Sequence, residues 1–499
     1  MRNPSLATVA AASVFLVAGC TVGPDYERPE LPELESYRFG QDLPDTASAL
    51  DPADTEWWTG FNDPALNALV TEALQNNLDV RIAAARVEQF AAVIGLTRSQ
   101  AFPQVGYDAG AARQQSSREV NPAGPRVSDF FEANLNVGWE LDVFGRIRNA
   151  TDAALADTLA AEEVRRGVIL TVVTSVATSY IGLRSLDEQL AISRAKLQTR
   201  RETTDLFQLQ YERGIISRLE LAQIQSELER TAATIPAIER EIGQLENALS
   251  VLLGRPPGQI PRGVTLAALA APPIPGGLPS DLLLRRPDLR EAEQRLISTN
   301  ELIGVAVAEY YPSFNLTASL GLASSDLTNL FDNTAVTYGL GAGLLGPIFT
   351  SGFLESQLEQ AKAAEREAIE LYRSAVLTAF RESEDALVVR STTIDEAAAQ
   401  SRQVAALAKY AELAQKRYDN GFVDYLEVLD AERDLFDAEL ERAQLRAAEL
   451  SAVIGIYKAF GGGWVEIAED FAQPEDESQD ADSTDSTETA DAGAQAEAS

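Results

Sequence analysis

The sequence predicts a mixed α and transmembrane β fold, in which long α-helical coiled-coil hairpins are combined with four membrane strands per chain. Four segments of about ten residues alternate between apolar and polar side chains, as strands that cross a bilayer do. Longer stretches are rich in Ala, Leu, Glu, Gln and Arg with hardly any Pro or Gly, a composition typical of long helices. An export signal at the N-terminus directs the chain to a cell envelope.

Composition excludes several chemistries. The 499 residues contain no His and one Cys, which rules out His-dependent catalysis, an internal disulfide and a thiolate metal cluster. The formal charge of −35 and the pI of 4.4 oppose binding to phosphate backbones, so no nucleic-acid partner is expected. We predict neither an enzyme nor a resident cofactor or metal.

Residues 1–19 are predicted to be a signal peptide, because the apolar stretch at 6–19 is too short to span a membrane. It ends in LVAGC, which resembles the lipobox of bacterial lipoproteins, so Cys20 is expected to carry a covalent lipid. The alternative is an ordinary signal with an incidental Cys. Thr21, in place of the Asp that retains lipoproteins in the inner membrane, implies sorting to the outer membrane. Residues 20–65 would then be a lipidated extension.

The alternating segments lie near residues 104–113, 131–141, 313–322 and 337–345. In 131–141 every odd position is apolar, from Phe131 to Leu141, and every even position is polar or glycine. The same period would suit a half-buried sheet in a soluble domain. Two hairpins with polar loops at 114–129 and 323–335, in an exported chain, favour membrane strands. No later segment is expected to be a transmembrane helix.

Four strands cannot close a barrel, since bacterial barrels begin at eight strands. Unpaired strand edges in hydrocarbon cost several kcal/mol for each polar group. The chain must therefore oligomerise through its sheet. Two copies would give eight strands and a lumen filled by side chains, whereas three would give twelve and room for a pore.

The helical part is predicted to run over residues 146–212, to break at Gly214, and to return over 215–252. The return segment has a coiled-coil seam that Pro236 should kink. Residues 351–420, Gly421 and 422–460 repeat this pattern at an offset of 207, so that Tyr211 matches Tyr418. Single helices at 66–99 and 286–308 precede the two strand hairpins. We therefore predict a duplication, with repeats at 66–271 and 272–472 and an acidic disordered tail at 473–499.

Helix lengths suggest how these segments assemble. A helix of 67 residues is about 100 Å long, and the shorter return helix stacked on the single helix has nearly the same length. Three copies would build a hollow cylinder of helices continuous with the strands. A solid helical bundle is the alternative, but it leaves the four strands unexplained.

Ordered motifs spread over residues 20–465 resemble the TolC-type outer-membrane efflux factors, and within them the lipoprotein branch similar to OprM and the NodT group. The motifs are Cys20 followed by VGPDYERP at 22–29, Trp57-Trp58 with Phe61, WELD with FGR at 139–146, RPDLREAE at 286–293, and Gly421 with LEVLDA at 426–431.

The resemblance implies a homotrimer with a 12-stranded outer-membrane β-barrel and a periplasmic α-barrel tunnel. It further implies a periplasmic adaptor (membrane fusion protein), an inner-membrane pump of the RND type, and contact with outer-membrane lipid. The chain would be a passive exit duct for multidrug or other efflux, with the substrate set by the pump. A non-conducting helical scaffold or adhesin lipoprotein is the alternative function.

In the family, positions matching Glu427 and Asp430 place acidic rings at a closed periplasmic gate, and the position of Tyr418 holds it shut. Because the two acids are three residues apart on a helix, they share a face. Solvated surface acids are the alternative interpretation. The predicted adaptor-contacting tips are Tyr211, Gly214, Leu219, Gly421 and Leu426, for which plain hairpin structure is the alternative.

Overall fold

The computed structural model describes residues 21–31, 34, 36–39, 56–117, 119, 126–274 and 285–461. The predicted signal peptide, Cys20, the acidic tail and part of the 272–279 linker lie outside these ranges. Contacts divide the chain into two compact units, which are described separately. Unit 1 draws on Met1–Glu33, Ala83–Arg165 and Pro287–Thr378, and unit 2 on Leu34–Ile82, Arg166–Arg286 and Ala379–Ser499.

The four predicted strands are present and form one antiparallel sheet in the order β1-β2-β3-β4, all within unit 1. They are β1 (Gln104–Gln115), β2 (Val127–Leu141), β3 (Ser313–Ser324) and β4 (Val336–Leu345). The first hairpin loop is shorter than predicted, because the ladder continues until Ser116 N donates to Arg126 O at 2.9 Å. Polar strand ends there hid the pairing from a pattern based on hydrophobicity.

The long helices match their predicted ranges closely. They are α3 (Arg146–Glu212) and α6 (Phe353–Asp419), each 67 residues, with return helices α4 (Arg218–Leu252) and α7 (Tyr425–Phe460). Both return helices start about three residues later than predicted, since Ser217 and Asp424 are extended N-cap residues. Pro236 lies inside helix α4, which is continuous from Arg218 to Leu252.

The single helix predicted at 66–99 is wrong in one respect, because it is split at Asn77 into α1 (Pro64–Asn76) and α2 (Leu78–Ser99). The Asn77 Oδ1 accepts from the amides of Asp79 and Val80, at 2.8 and 3.1 Å, and so caps α2. Its Nδ2 donates to Leu252 O at 2.8 Å. The second-repeat counterpart, α5 (Pro287–Ala308), is one helix.

The core of unit 2 surrounds the middle of α3. Trp57 and Trp58, from the 3₁₀ helix Trp57–Phe61, pack with side chains of α1, α3, α4 and α7, and Trp57 stacks on Tyr457 at 4.9 Å. Against our expectation, α3 contains a stretch long and apolar enough to cross a membrane, but 56% of that stretch is buried in the protein. Val173, Val176 and Tyr180 are fully buried there, so protein core accounts for its apolar character.

Candidate functional sites: the membrane sheet and the hairpin tips

The register of the sheet brings the apolar residues of all four strands onto one face. Tyr107 lies opposite Leu135, Leu135 opposite Leu320, and Leu320 opposite Tyr338. This face is uncovered in the protomer, with Tyr107 86%, Tyr338 82% and Leu340 85% exposed. A continuous exposed apolar face on strands of 10 to 15 residues suits hydrocarbon rather than water.

The opposite face of the sheet is polar. Asp108 accepts hydrogen bonds from the side-chain amides of Asn134, at 3.0 Å, and Asn136. Thr317 and Thr337 lie on the same side, among glycines. One lipid-compatible face and one hydrated face are what a channel wall requires.

The junction between β2 and α3 lies at the base of this sheet. The Asp142 carboxylate accepts from the amides of Ile147 and Arg148, at 3.0 and 2.9 Å, and so caps the first turn of α3. Arg146 pairs with Glu140 at 3.0 Å. The WELD and FGR motifs thus hold the transition from strand to helix.

The segment after Cys20 docks beside this junction, within unit 1. Val22 N donates to Phe144 O at 3.2 Å, and the Asn149 Nδ2 donates to Val22 O at 2.9 Å. Further along, Arg28 Nε donates to Glu293 Oε1 at 2.7 Å. The chain next to the predicted lipidation site is therefore held at the base of the membrane sheet. Cys20 itself lies outside the described residues.

The two hairpin turns share one geometry. Gly214 and Gly421 have φ of +72° and +75°, the left-handed conformation that favours glycine. At each turn the glycine amide bonds a carbonyl three residues back, and the next amide bonds one five residues back, as in a Schellman motif. The residues after the glycines, Ile215 and Phe422, are 71% and 75% exposed.

The predicted tip residues lie at these turns and are exposed. Leu219 and Leu426 lie in the first turns of α4 and α7, and Tyr211 lies in the last turn of α3, all with exposed side chains. The tips therefore present apolar side chains that nothing in the described protomer covers.

The predicted gate acids do not stand as free carboxylates. Glu427 accepts from Arg417 Nη1 at 2.8 Å, and Asp430 lies 3.0 Å from Arg433 Nη1. Both arginines belong to the same hairpin as the acids they contact, and our sequence reasoning missed them. Spacing provides a signal for Arg433, three residues after Asp430 on one helix, but Arg417 reaches Glu427 across the turn.

Tyr418 lies in an aromatic cluster that the sequence did not reveal. Its ring is 6.3 Å from Phe207 of α3 and 5.0 Å from Tyr425 of α7. Burial raises the pKa of Tyr425 and, together with the charges of Glu220 and Asp419, that of Tyr418, so both hydroxyls stay protonated at neutral pH. The cluster joins the two hairpins inside unit 2.

In the part of the chain that the structure describes, an amphipathic four-stranded sheet with two open edges is joined to long helical hairpins. This combination defines a class of protein: an outer-membrane channel subunit with a helical extension. Comparison with known proteins agrees with this class. A family model described as "Outer membrane efflux protein" matches residues 69–255 and again 278–462.

Individual relatives match over nearly their whole length. The solvent efflux pump outer membrane protein SrpC of Pseudomonas putida is 36% identical over 460 residues, which cover 91% of this chain and 97% of SrpC. The cation efflux system protein CusC of Escherichia coli O6:H1 is 34% identical, covering 90% and 96%. The open-state crystal structure of the MtrE outer membrane channel of Neisseria gonorrhoeae has 30% identity and a TM-score of 0.80, covering 89% and 99%.

The chain belongs to the outer membrane efflux protein family. The predicted fold class, the TolC-type resemblance and the location in the outer membrane are confirmed. The protein is an exit duct of an efflux system.

Proposed function

We propose that the duct works as a homotrimer, in which three four-stranded sheets close one 12-stranded barrel and the helices continue it as a periplasmic tunnel. The observation that carries this proposal is the exposed apolar face of a sheet whose outer strands, β1 and β4, both have an unpaired edge in the described chain. Closure with identical neighbours would pair both edges. The repeats at 66–271 and 272–472 each supply one hairpin of strands.

A lipid on Cys20 would anchor each chain to the outer membrane. This assignment is supported by the docked segment at Val22, which starts two residues after Cys20 and is hydrogen-bonded to Phe144 and Asn149 at the base of the sheet. An acyl chain attached there would enter the bilayer beside the lipid-facing strands.

The periplasmic gate is assigned to Tyr418, Glu427 and Asp430 of the second repeat. Three copies would bring six carboxylates together, which favours cations, although each has an arginine partner in its own hairpin. Opening the aperture would then require these side chains and the Tyr418 cluster to rearrange. The first repeat carries Gln223 where the second has Asp430, which favours an outer position for its hairpin.

The exposed tips at Gly214 and Gly421, with Tyr211, Leu219 and Leu426, are assigned to contact with a periplasmic adaptor. Their uncovered apolar side chains support a protein partner there. The adaptor would link the duct to an inner-membrane pump of the RND type, which supplies the energy and selects the substrate.

Conductance of the purified protein in planar bilayers tests the channel proposal. The lipidated trimer is expected to give discrete, cation-selective conductance steps. A stable trimer that inserts but never conducts would support the alternative of an envelope scaffold.

The gate is tested with Glu427→Ala combined with Asp430→Ala. The double variant is expected to conduct more at rest and to lose cation selectivity. A matched control is Glu239→Ala with Asp437→Ala, which removes two carboxylates that also pair with arginines, at 2.7 and 3.0 Å, but that are not assigned to the gate. Equal changes in both double variants would remove the gate assignment.

A further inference from the structure

Among the described residues, β1 and β4 each have one unpaired edge, and these edges determine how neighbouring chains must join. Resting on the trimer proposed above, we propose that β4 of one chain pairs antiparallel with β1 of the next in a single register, which places Gly343 opposite Asp108. In this register Leu340 lies opposite Ala111, and all ten residues of β4 have a partner in β1.

Side-chain alternation removes half of the possible registers. Within the sheet, odd residues of β1 and even residues of β4 share the apolar face, as the row from Tyr107 to Tyr338 demonstrates. A slip of one residue at the new junction would place the apolar residues of one strand on the lumen side. Odd residues of β1 must therefore face even residues of β4.

Closure of the barrel excludes most of the remaining registers. A row of paired residues followed around a closed barrel returns to its strand displaced by the shear, and threefold symmetry divides that displacement into three equal steps. Alternation makes each step an even number of residues. Steps of about 2, 4, 6 and 8 residues correspond to strand tilts of roughly 19°, 35°, 46° and 54°, whereas membrane barrels tilt by about 35–45°.

Steps in the opposite direction fail for another reason. They would place most of β4 opposite residues before Gln104, where β1 has not begun. Only the forward steps of about four and six residues fit both the tilt and the strand ends.

The heights of the strand ends decide between the four-residue step and the six-residue step. With a step of six residues, the periplasmic ends of the four strands differ in height along the barrel axis by about 5 Å, and their outer ends differ by about 7 Å. The sheet is then about 26 Å high along this axis. This height matches the apolar band of about 25 Å in outer-membrane barrels. With a step of four, the outer ends spread over about 11 Å and the sheet is about 31 Å high. The six-residue step places Gly343 opposite Asp108.

Side-chain sizes at the junction agree with this register. On the lipid side, Leu340 meets Ala111 and Leu344 meets Tyr107. On the lumen side, the glycines of β4 leave room for the Asp108 carboxylate and for its two amide partners from β2. Complementary sizes allow the two strands to approach at normal sheet spacing.

Disulfide trapping in the full lipidated chain tests the register. Cys20 is the only cysteine, so introduced thiols have no competitor once it is lipidated. Gly343→Cys is suitable because a Cβ there meets nothing closer than 3.9 Å. Directly opposed Cα atoms lie about 4.5–5.5 Å apart, within disulfide range, while positions two residues away are about 7–8 Å apart and too far.

Gly343→Cys with Asp108→Cys is expected to form a covalent trimer on oxidation at least ten times faster than two matched pairs. These controls join Gly343→Cys to Gly106→Cys, which traps the four-residue step, or to Gly110→Cys, which traps the eight-residue step. Fastest cross-linking in either control would overturn the register. Ala342→Cys with Ala109→Cys, from the lipid face, tests the same register without altering Asp108.

The mass of the unoxidised protein separates failure of the register from failure of the function. If every variant is a conducting trimer but neither expected pair cross-links, the register is wrong and the duct proposal stands. If the lipidated wild-type chain is monomeric and does not conduct, the proposed trimer fails first.

Discussion

Tyr180 provides a direct test of how unit 2 is held together. Its fully buried hydroxyl donates to Asp63 Oδ2 at 2.8 Å and accepts from the Gly263 amide at 2.9 Å. Asp63, also fully buried, receives further hydrogen bonds from the amides of Ala65 and Val264. The hydroxyl therefore connects the segment before α1, the middle of α3 and the chain after α4.

Tyr180→Phe removes this hydroxyl without changing the ring. A hydrogen bond to a charged group contributes about 1.5–3 kcal/mol. Gly263 is an exposed residue, so water can replace the lost hydroxyl at its amide. The free energy of unfolding should therefore fall by about 2 kcal/mol. At roughly 2 °C per kcal/mol for a unit of this size, the melting temperature should drop by about 4 °C.

Tyr372→Phe is the matched control. Tyr372 is also fully buried, but its hydroxyl has no hydrogen-bond partner among the described residues, so its removal should shift the melting temperature by less than about 1 °C or raise it slightly. Thermal unfolding of the detergent-solubilised protein, followed by circular dichroism, measures both. Equal shifts in the two variants would refute the assigned role of the Tyr180 network.

Three further predictions concern titration and the hairpin turns. Burial and the neighbouring Asp63 raise the pKa of Tyr180 to about 12, so the contribution of its hydroxyl to stability should be complete below about pH 10 and lost as the pH rises towards 12. Over that range the melting temperature of the wild-type protein should fall more steeply with pH than that of Tyr180→Phe. Parallel curves for the two proteins would contradict this prediction. The methyl group of Gly421→Ala meets no steric obstacle, but the residue must adopt φ of +75°, which costs about 1–2 kcal/mol. Backbone amides at this tip should therefore exchange hydrogen roughly tenfold faster. Unchanged exchange would contradict the argument from backbone strain. Ser217→Ala removes a side-chain cap worth about 1 kcal/mol and should speed hydrogen exchange at the first tip. The Asp424 side chain makes no such capping bond, so Asp424→Ala should change exchange at the second tip far less. Similar effects in the two variants would show that the caps do not differ.

Local pattern was sufficient for the strands and the long helices. Strand alternation has a period of two and identifies the lipid face before any pairing is known. The odd positions of 131–141, which the sequence predicts to share one face, include Leu135, and the structure places Tyr107 opposite it. Helix α3 begins and ends as predicted because its two boundaries, the FGR motif and Gly214, are local signals.

Features that depend on distant partners were not predictable in this way. The helix break at Asn77 is stabilised by a hydrogen bond to the Leu252 carbonyl, 175 residues away in the sequence. A polar residue within a helical sequence would otherwise predict only a position on the helix surface, so the break could not be predicted locally. The predicted gate shows the same limit, because the family resemblance points to Glu427 but not to its pairing with Arg417 across the turn.

The sequence by itself determined which segments are strands and helices, which strand face meets lipid, and that one chain cannot close its own sheet. These properties follow from side-chain periodicity and from the need of each backbone group for a hydrogen-bond partner, both of which are local. Only the tertiary structure decided the strand register, the Tyr180 network and the packing of Tyr418 on Phe207, since each depends on bringing together residues far apart in the chain.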